Sequence, residues 1–188
     1  MNDYLSKENY EAPGDDFFKE HFQLVNVFEK YKDKMLGKCA DFGCNTGGCT
    51  VWIAKKNDIA ELIAIDINAK ALEKLEARKL PKIYCLLNNL TELKVADNTF
   101  DSAYSFHTLE HIYPDDLDKV VSEFHRTMKP DSYILMNIPF GNAYGNKQHV
   151  SKFDVENLSE LFKRNGFEII ECIKDVNNTL TLLAKNIK

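Results

Sequence analysis

Asp41 stands two residues before Gly43 in the run Cys39-Ala-Asp-Phe-Gly-Cys-Asn-Thr-Gly-Gly48, and Asp66 closes the apolar run Glu61-Leu-Ile-Ala-Ile-Asp66. A carboxylate beside a turn of small residues is an acceptor for a cation. A second carboxylate at the end of the next strand can accept from both hydroxyls of a ribose. Glycines at the turn allow positive φ and let a ligand approach bare main chain. No Lys or Arg falls between residues 39 and 54, so the turn carries no basic partner for a phosphate. A dinucleotide fingerprint G-x-G-x-x-G would align Gly43, Asn45 and Gly48, and its middle glycine is missing. Asp41 would also place negative charge beside such phosphates. These residues predict a positively charged cofactor with an amino group and argue against a nicotinamide oxidoreductase.

A second polar group follows, His107-Thr-Leu-Glu110-His111, with Tyr144 and His149 further on. The pattern superficially matches the H-x-x-E-H motif of zinc proteases, which needs one helix presenting both histidines. Here the segment straddles a strand end and the approach to Pro114, so protease chemistry is set aside. His111 and His149 are candidate general bases on strand-end loops, and Tyr144 is a candidate pocket-lining residue. A divalent cation held by His107, Glu110, His111 and His149 is a variant of this reading; the expectation adopted is that no metal is bound.

Those residues need elements to position them. Residues 1–16 are polar and interrupted by Pro13-Gly14, which reads as a flexible arm. Apolar residues at helical spacing (Phe17, Leu24, Phe28, Tyr31) predict a helix over 17–35, ended by Gly37. Strands follow at 38–42, 61–66, 82–87, 100–106 and 132–140. Helices are expected at 48–56, from the Asn68 cap to Arg78, from Pro114 until Pro130 stops it, and over 153–164 up to Gly166. Runs at 167–173 and 179–185 flank Asn177-Asn178 and read as a closing hairpin. Alternating strands and helices imply a parallel sheet covered on both faces, with ligands at the carboxyl ends of its strands.

The bulk properties are those of one soluble domain. The chain has 188 residues, 44% hydrophobic and 28% charged, with a net charge of −5. The 24 Lys and Arg are scattered, so no basic stripe for extended nucleic acid is visible. The five cysteines contain no C-x-x-C pair, against a zinc knuckle or a disulfide framework. No secretory leader or spanning segment is evident, so a cytoplasmic location is expected and no membrane partner.

Asp41-Phe-Gly43-Cys-Asn-Thr-Gly47 resembles the first motif of the class I S-adenosylmethionine-dependent methyltransferases, D/E-x-G-x-G-x-G, and Asp66 resembles their second. The segments 97–101 and 109–112, the lead 124–130 and the element 162–167 are similar to the small-molecule branch of that superfamily. The resemblance spans about residues 36–185. It implies a single-domain Rossmann-like fold over 17–188, with a mostly parallel seven-stranded sheet and an antiparallel C-terminal edge hairpin.

The resemblance also implies S-adenosyl-L-methionine as cofactor. Asp41, Gly43, Asn45 and Gly47 would hold its methionine part, and Asp66 its ribose. Ile67 and Leu90 would lie against the adenine, Asn89 near the adenine amino group, and His107 beside the methionine moiety. Asn45 departs from the family's glycine, and Asn is among the residues that best tolerate a left-handed conformation. The implied reaction is methyl transfer to an N or O acceptor, most simply a small molecule. The helix at 17–35, the arm and the 141–150 loop would form a lid, with the pocket open or completed by a second subunit in a homodimer.

Alternatives are an RNA or protein methyltransferase on the same fold, and a non-catalytic cofactor-binding subunit. The metal variant resembles the small-RNA 3′-end 2′-O-methyltransferases, although these begin with Glu where this chain has His107. The D/N/S-P-P-Y/F motif of DNA amino-methyltransferases is replaced by Ser105-Phe-His-Thr108.

Overall fold

The computed structural model describes residues 22–56, 58–141 and 148–188. The expected arm at 1–16, the first residues of the expected helix and Tyr144 lie outside the described residues. Seven strands form one sheet: β1 (Gly37–Phe42), β2 (Ile59–Asp66), β3 (Ile83–Leu87), β4 (Phe100–Phe106), β5 (Met128–Pro139), β6 (Phe167–Lys174) and β7 (Thr179–Asn186). Their order is β3-β2-β1-β4-β5-β7-β6, with β1 to β5 parallel and β7 antiparallel to both β5 and β6. The expected parallel sheet with an antiparallel C-terminal edge is therefore present.

Among the described residues, five α-helices cover the sheet: α1 (Phe22–Tyr31), α2 (Gly48–Ile53), α3 (Ala69–Glu76), α4 (Leu117–Thr127) and α5 (Val155–Arg164). Successive strand residues point to opposite faces, and the two apolar clusters follow that period. Ala40, Phe42, Ile134, Met136 and Ile138 pack with Val120, Phe124, Leu158 and Phe162 of α4 and α5. Cys39, Tyr104 and Leu135 pack on the other face with Leu24 and Phe28 of α1 and Ile53 of α2. Phe42 stacks on Phe124 at 4.1 Å between ring centroids. A Phe→Ala change at either ring removes both the area buried and this contact, at a cost of about 3–5 kcal/mol. The described part of the 17–35 helix is thus a structural layer: Leu24, Phe28 and Met35 are each 1% exposed.

The helix at 114–130 and the strand at 132–140 differ in their boundary from expectation. Residues 114–116 form a 3₁₀ turn, α4 ends at Thr127, and β5 already begins at Met128. Met128 pairs with Phe100 before the register shifts to Ser102 opposite Tyr133. Pro130 and Asp131 (φ 62°) occupy that irregularity, where a missing N–H and an unusual φ are tolerated. Proline therefore sits inside a bulged strand start, past the helix end. No described helix is long and apolar enough to cross a membrane.

Candidate active site

The chain runs outward through β1, β2 and β3 and then returns to place β4 on the other side of β1. The carboxyl end of β1 is therefore the topological switch point, where open α/β sheets bind ligands. The turn there has three left-handed residues: Gly43 (φ 84°), Asn45 (φ 50°) and Gly47 (φ 78°). Asn45 adopts the conformation expected for a residue in a glycine's place, and its Oδ1 accepts from the Thr46 amide at 2.7 Å. Gly47 caps α2, whose first turn begins at Gly48.

The two glycines are required by the protein's own packing as well as by φ. A Cβ on Gly43 would lie 2.3 Å from Thr108 Oγ1, and one on Gly47 would lie 2.4 Å from Leu75 Cδ1. The sequence reading assigned these glycines to ligand approach. The structure adds that Thr108, just past β4, and Leu75, on α3, fill the space that a side chain would need.

Asp41 is 3% exposed, beneath the turn. Its Oδ2 accepts from Thr50 Oγ1 at 2.6 Å and from Tyr104 OH at 2.7 Å. Burial pushes its carboxyl up to about 7, against the lowering effect of those two donors. Sequence reasoning missed Thr50 and Tyr104 as holders of Asp41. The signal was the parallel pairing of β1 with β4, which sets Tyr104 directly opposite Asp41.

Asp66, at the tip of β2, is half-buried. One oxygen accepts from the Asn45 amide at 2.7 Å and the other from the Asn68 amide at 2.8 Å. Burial raises its pKa, and these backbone donors oppose the rise. Each carboxylate oxygen retains a lone pair beyond the one already used, which suits it to two ribose hydroxyls. Neither Asp41 nor Asp66 is paired with a Lys or Arg among the described residues.

This donor set fits a cationic nucleoside without phosphate. Ile67 is half-buried next to Asp66. Asn89 accepts from the Thr91 amide through Oδ1 at 3.0 Å, which fixes the turn after β3. Leu90 is 7% exposed and joins the core with Phe42 and Ile65.

The second half of the site lies at the ends of β4 and β5. His107 is held in a left-handed conformation (φ 55°), and its amide donates to Asn137 O at 2.8 Å. Thr108 Oγ1 donates to Phe42 O at 3.1 Å, so this loop rests directly on the glycine turn. Residues 109–111 form a 3₁₀ turn. The Glu110 carbonyl accepts from the amides of Val150 at 2.9 Å and Ser151 at 3.1 Å, and Ser151 Oγ donates to Ile112 O at 2.6 Å. The segment carrying His149 is thereby clasped to the segment carrying His111, and their rings stand edge-on at 5.0 Å. Glu110 is 1% exposed. His107 Nδ1 is 3.5 Å from Glu110 Oε1 and His111 Nε2 is 3.9 Å from it. Burial opposes ionisation of Glu110, yet the facing imidazoles hold its carboxyl below the ordinary range.

A family profile described as "Methyltransferase domain" matches residues 40–136, more than half of the chain. The chain is 26% identical over 160 residues to the O-methyltransferase rstn1 of Aspergillus nomiae, covering 77% of this chain and 69% of that protein. It is 26% identical over 144 residues to phosphoethanolamine N-methyltransferase 3 of Arabidopsis thaliana, covering 70% of this chain and 29% of that one. Among solved structures, the PH0226 protein from Pyrococcus horikoshii superposes with a TM-score of 0.76 at 18% identity, over 100% of this chain and 96% of the other. The match at 40–136 runs from β1 through most of β5 and so contains both carboxylates, the left-handed turn and the Glu110–His111 loop. The chain belongs to the methyltransferase domain family and is a class I S-adenosylmethionine-dependent methyltransferase.

Proposed function

We propose that the chain transfers the methyl group of S-adenosylmethionine to an oxygen or nitrogen of a small-molecule acceptor presented at the ends of β4 and β5. The observation that carries this reading is the contact of Thr108 with both the Gly43 position and the Phe42 carbonyl. It sets a group of imidazoles and a carboxylate against the cofactor turn. One relative is named an O-methyltransferase and another an N-methyltransferase, which supports either heteroatom as acceptor.

The cofactor supplies a methyl group on a sulfonium, already activated for in-line displacement. In this reading Asp66 holds the ribose, and Ile67, Asn89 and Leu90 bound the adenine. Asp41, through the turn it supports, fixes Gly43, Asn45 and Gly47 around the methionine part, with His107 alongside. The chain's remaining task is to align the acceptor and exclude water. His111 and His149 stand where a proton leaving an acceptor hydroxyl or ammonium can be taken up. Tyr144 is assigned to the acceptor pocket on sequence alone. The net charge of −5 and the scattered basic residues support a small acceptor over a long polyanion.

The test is transfer of a tritiated methyl group from S-adenosylmethionine into a cell extract, followed by separation into small molecules, RNA and protein. Label in the small-molecule fraction is expected. Label confined to RNA or protein would overturn the acceptor class and leave the methyltransferase assignment intact.

A further inference from the structure

We infer that Glu110, His111 and His149 form a site for one divalent transition-metal cation beside the methyl-donor turn. One ligand atom from each of the three lies within 4.8 Å of the others. Two donors bound about 2.1 Å from one ion stand roughly 3–4 Å apart, so closing around an ion takes about an ångström of side-chain movement. The 3.9 Å between Glu110 Oε1 and His111 Nε2 already falls in that range.

The strongest observation is Glu110 itself. Its side chain is almost wholly buried, neither carboxylate oxygen has a hydrogen bond of ordinary geometry, and only the His107 and His111 imidazoles, at 3.5 and 3.9 Å, face it as ion-pair partners. A buried carboxylate left so is expensive unless a positive charge sits against it. His111 points the same way. Its Nδ1 is 3.2 Å from Gln148 O, and a carbonyl only accepts, so the ring proton belongs on Nδ1. In the neutral ring Nε2 is then a lone pair facing Glu110 Oε1. Two acceptors confronting each other at 3.9 Å repel unless a positive charge lies between them, as a proton on Nε2 or as a bound metal ion. A backbone carbonyl that fixes one imidazole nitrogen while the other binds metal is the usual support around metal-bound histidine.

The backbone clasp of Glu110 O on Val150 and Ser151 gives this group a rigid frame. His107, 3.5 Å from Glu110 Oε1, positions the carboxylate. Two imidazoles and one carboxylate suit Mn²⁺, Fe²⁺, Co²⁺ or Zn²⁺ better than Mg²⁺ or Ca²⁺, which prefer all-oxygen sites. Three protein donors leave open positions on the ion. Its use there rests on the acceptor reading above: an acceptor oxygen would fill an open position, and the two imidazoles would serve as ligands in place of bases. Binding of the ion itself does not depend on that reading.

The experiment uses the full chain, stripped with EDTA, and titrates Mn²⁺ alone by electron paramagnetic resonance. Manganese is chosen because the five cysteines compete for zinc. One bound Mn²⁺ per chain is expected, weakened at least about tenfold in Glu110→Gln and in His149→Ala. Thermal melts accompany each titration, and at equal Mn²⁺ the midpoint should rise further in the wild type than in either variant. If Glu110→Gln does not fold, the half-buried His149 supplies the decisive variant. No binding at millimolar Mn²⁺, or equal binding in wild type and His149→Ala, would overturn the site. Neither cofactor nor acceptor is present, so failure of methyl labelling cannot be mistaken for failure of this site.

Discussion

Gly43→Ala tests the join between the two halves of the active site. Two costs are expected. An L-residue at φ 84° pays the left-handed penalty, about 1–2 kcal/mol. Its Cβ would also lie 2.3 Å from Thr108 Oγ1, 2.4 Å from Cγ2 and 2.9 Å from Cβ. Thr108 cannot swing aside cheaply, because it is β-branched and hydrogen-bonded to Phe42 O. Overpacking of that kind costs about 1–3 kcal/mol. Together the substitution should destabilise by about 2–5 kcal/mol, or roughly 4–20 °C in melting temperature for a chain of this size. Urea denaturation of wild type, Gly43→Ala, Thr108→Ala and the double variant separates the two costs. Thr108→Ala removes the two closest atoms, so Gly43→Ala should cost at least about 1 kcal/mol less in that background, while the φ penalty remains. Additivity within about 0.5 kcal/mol would refute the contact.

Three further outcomes follow from the same geometry. Asp66→Ala should weaken S-adenosylhomocysteine binding by about tenfold or more through loss of charge-assisted hydrogen bonds; calorimetric affinity equal to wild type would remove the ribose assignment. Asp41 has a folded-state pKa of about 7, above its ordinary 3.8, so its contribution to stability is fully present below pH ~4 and is lost as pH rises through ~7. Asp41→Asn should therefore show a smaller fall in stability than wild type between those limits, by about 1 kcal/mol or more, and parallel denaturation curves across that window would contradict it. Asn68→Ala removes the cap on the Ala71 amide and should cost about 1 kcal/mol by thermal melt; an unchanged midpoint would show that the cap contributes nothing.

Much of the fold was legible because its strands are apolar runs with period-2 partitioning and its turns carry their own chemistry. Phe100–Phe106 falls where the pattern put it, and Asn68 caps the helix that it was expected to cap. The early start of β5 was not legible. Met128-Lys-Pro-Asp131 carries a proline that reads as a stop, and only pairing with Phe100 across a bulge makes it strand. At the site, Asp41, the left-handed turn and Asp66 announce themselves by type and spacing. Thr50, Tyr104 and Thr108 do not, because their roles arise from which strands become neighbours. Register opposite Asp41 gives Tyr104 its role, and none of its own flanking residues hints at it. The closeness of His149 to Glu110 likewise depends on a backbone clasp between segments 40 residues apart, from 110 to 150.

That clasp has a consequence for how new specificities are reached. Downstream, the main chain is pinned where Val150 and Ser151 donate to Glu110 O; upstream, it is pinned where the Gly141 amide donates to Phe153 O at 2.6 Å. The strip from Val150 to Phe153 is thereby tied by main-chain bonds both to the Glu110 loop and to the end of β5, so side-chain substitutions along it leave the path of the chain in place. Variation of substrate preference can therefore work on the side chains of this strip while sparing the methyl-donor half of the enzyme.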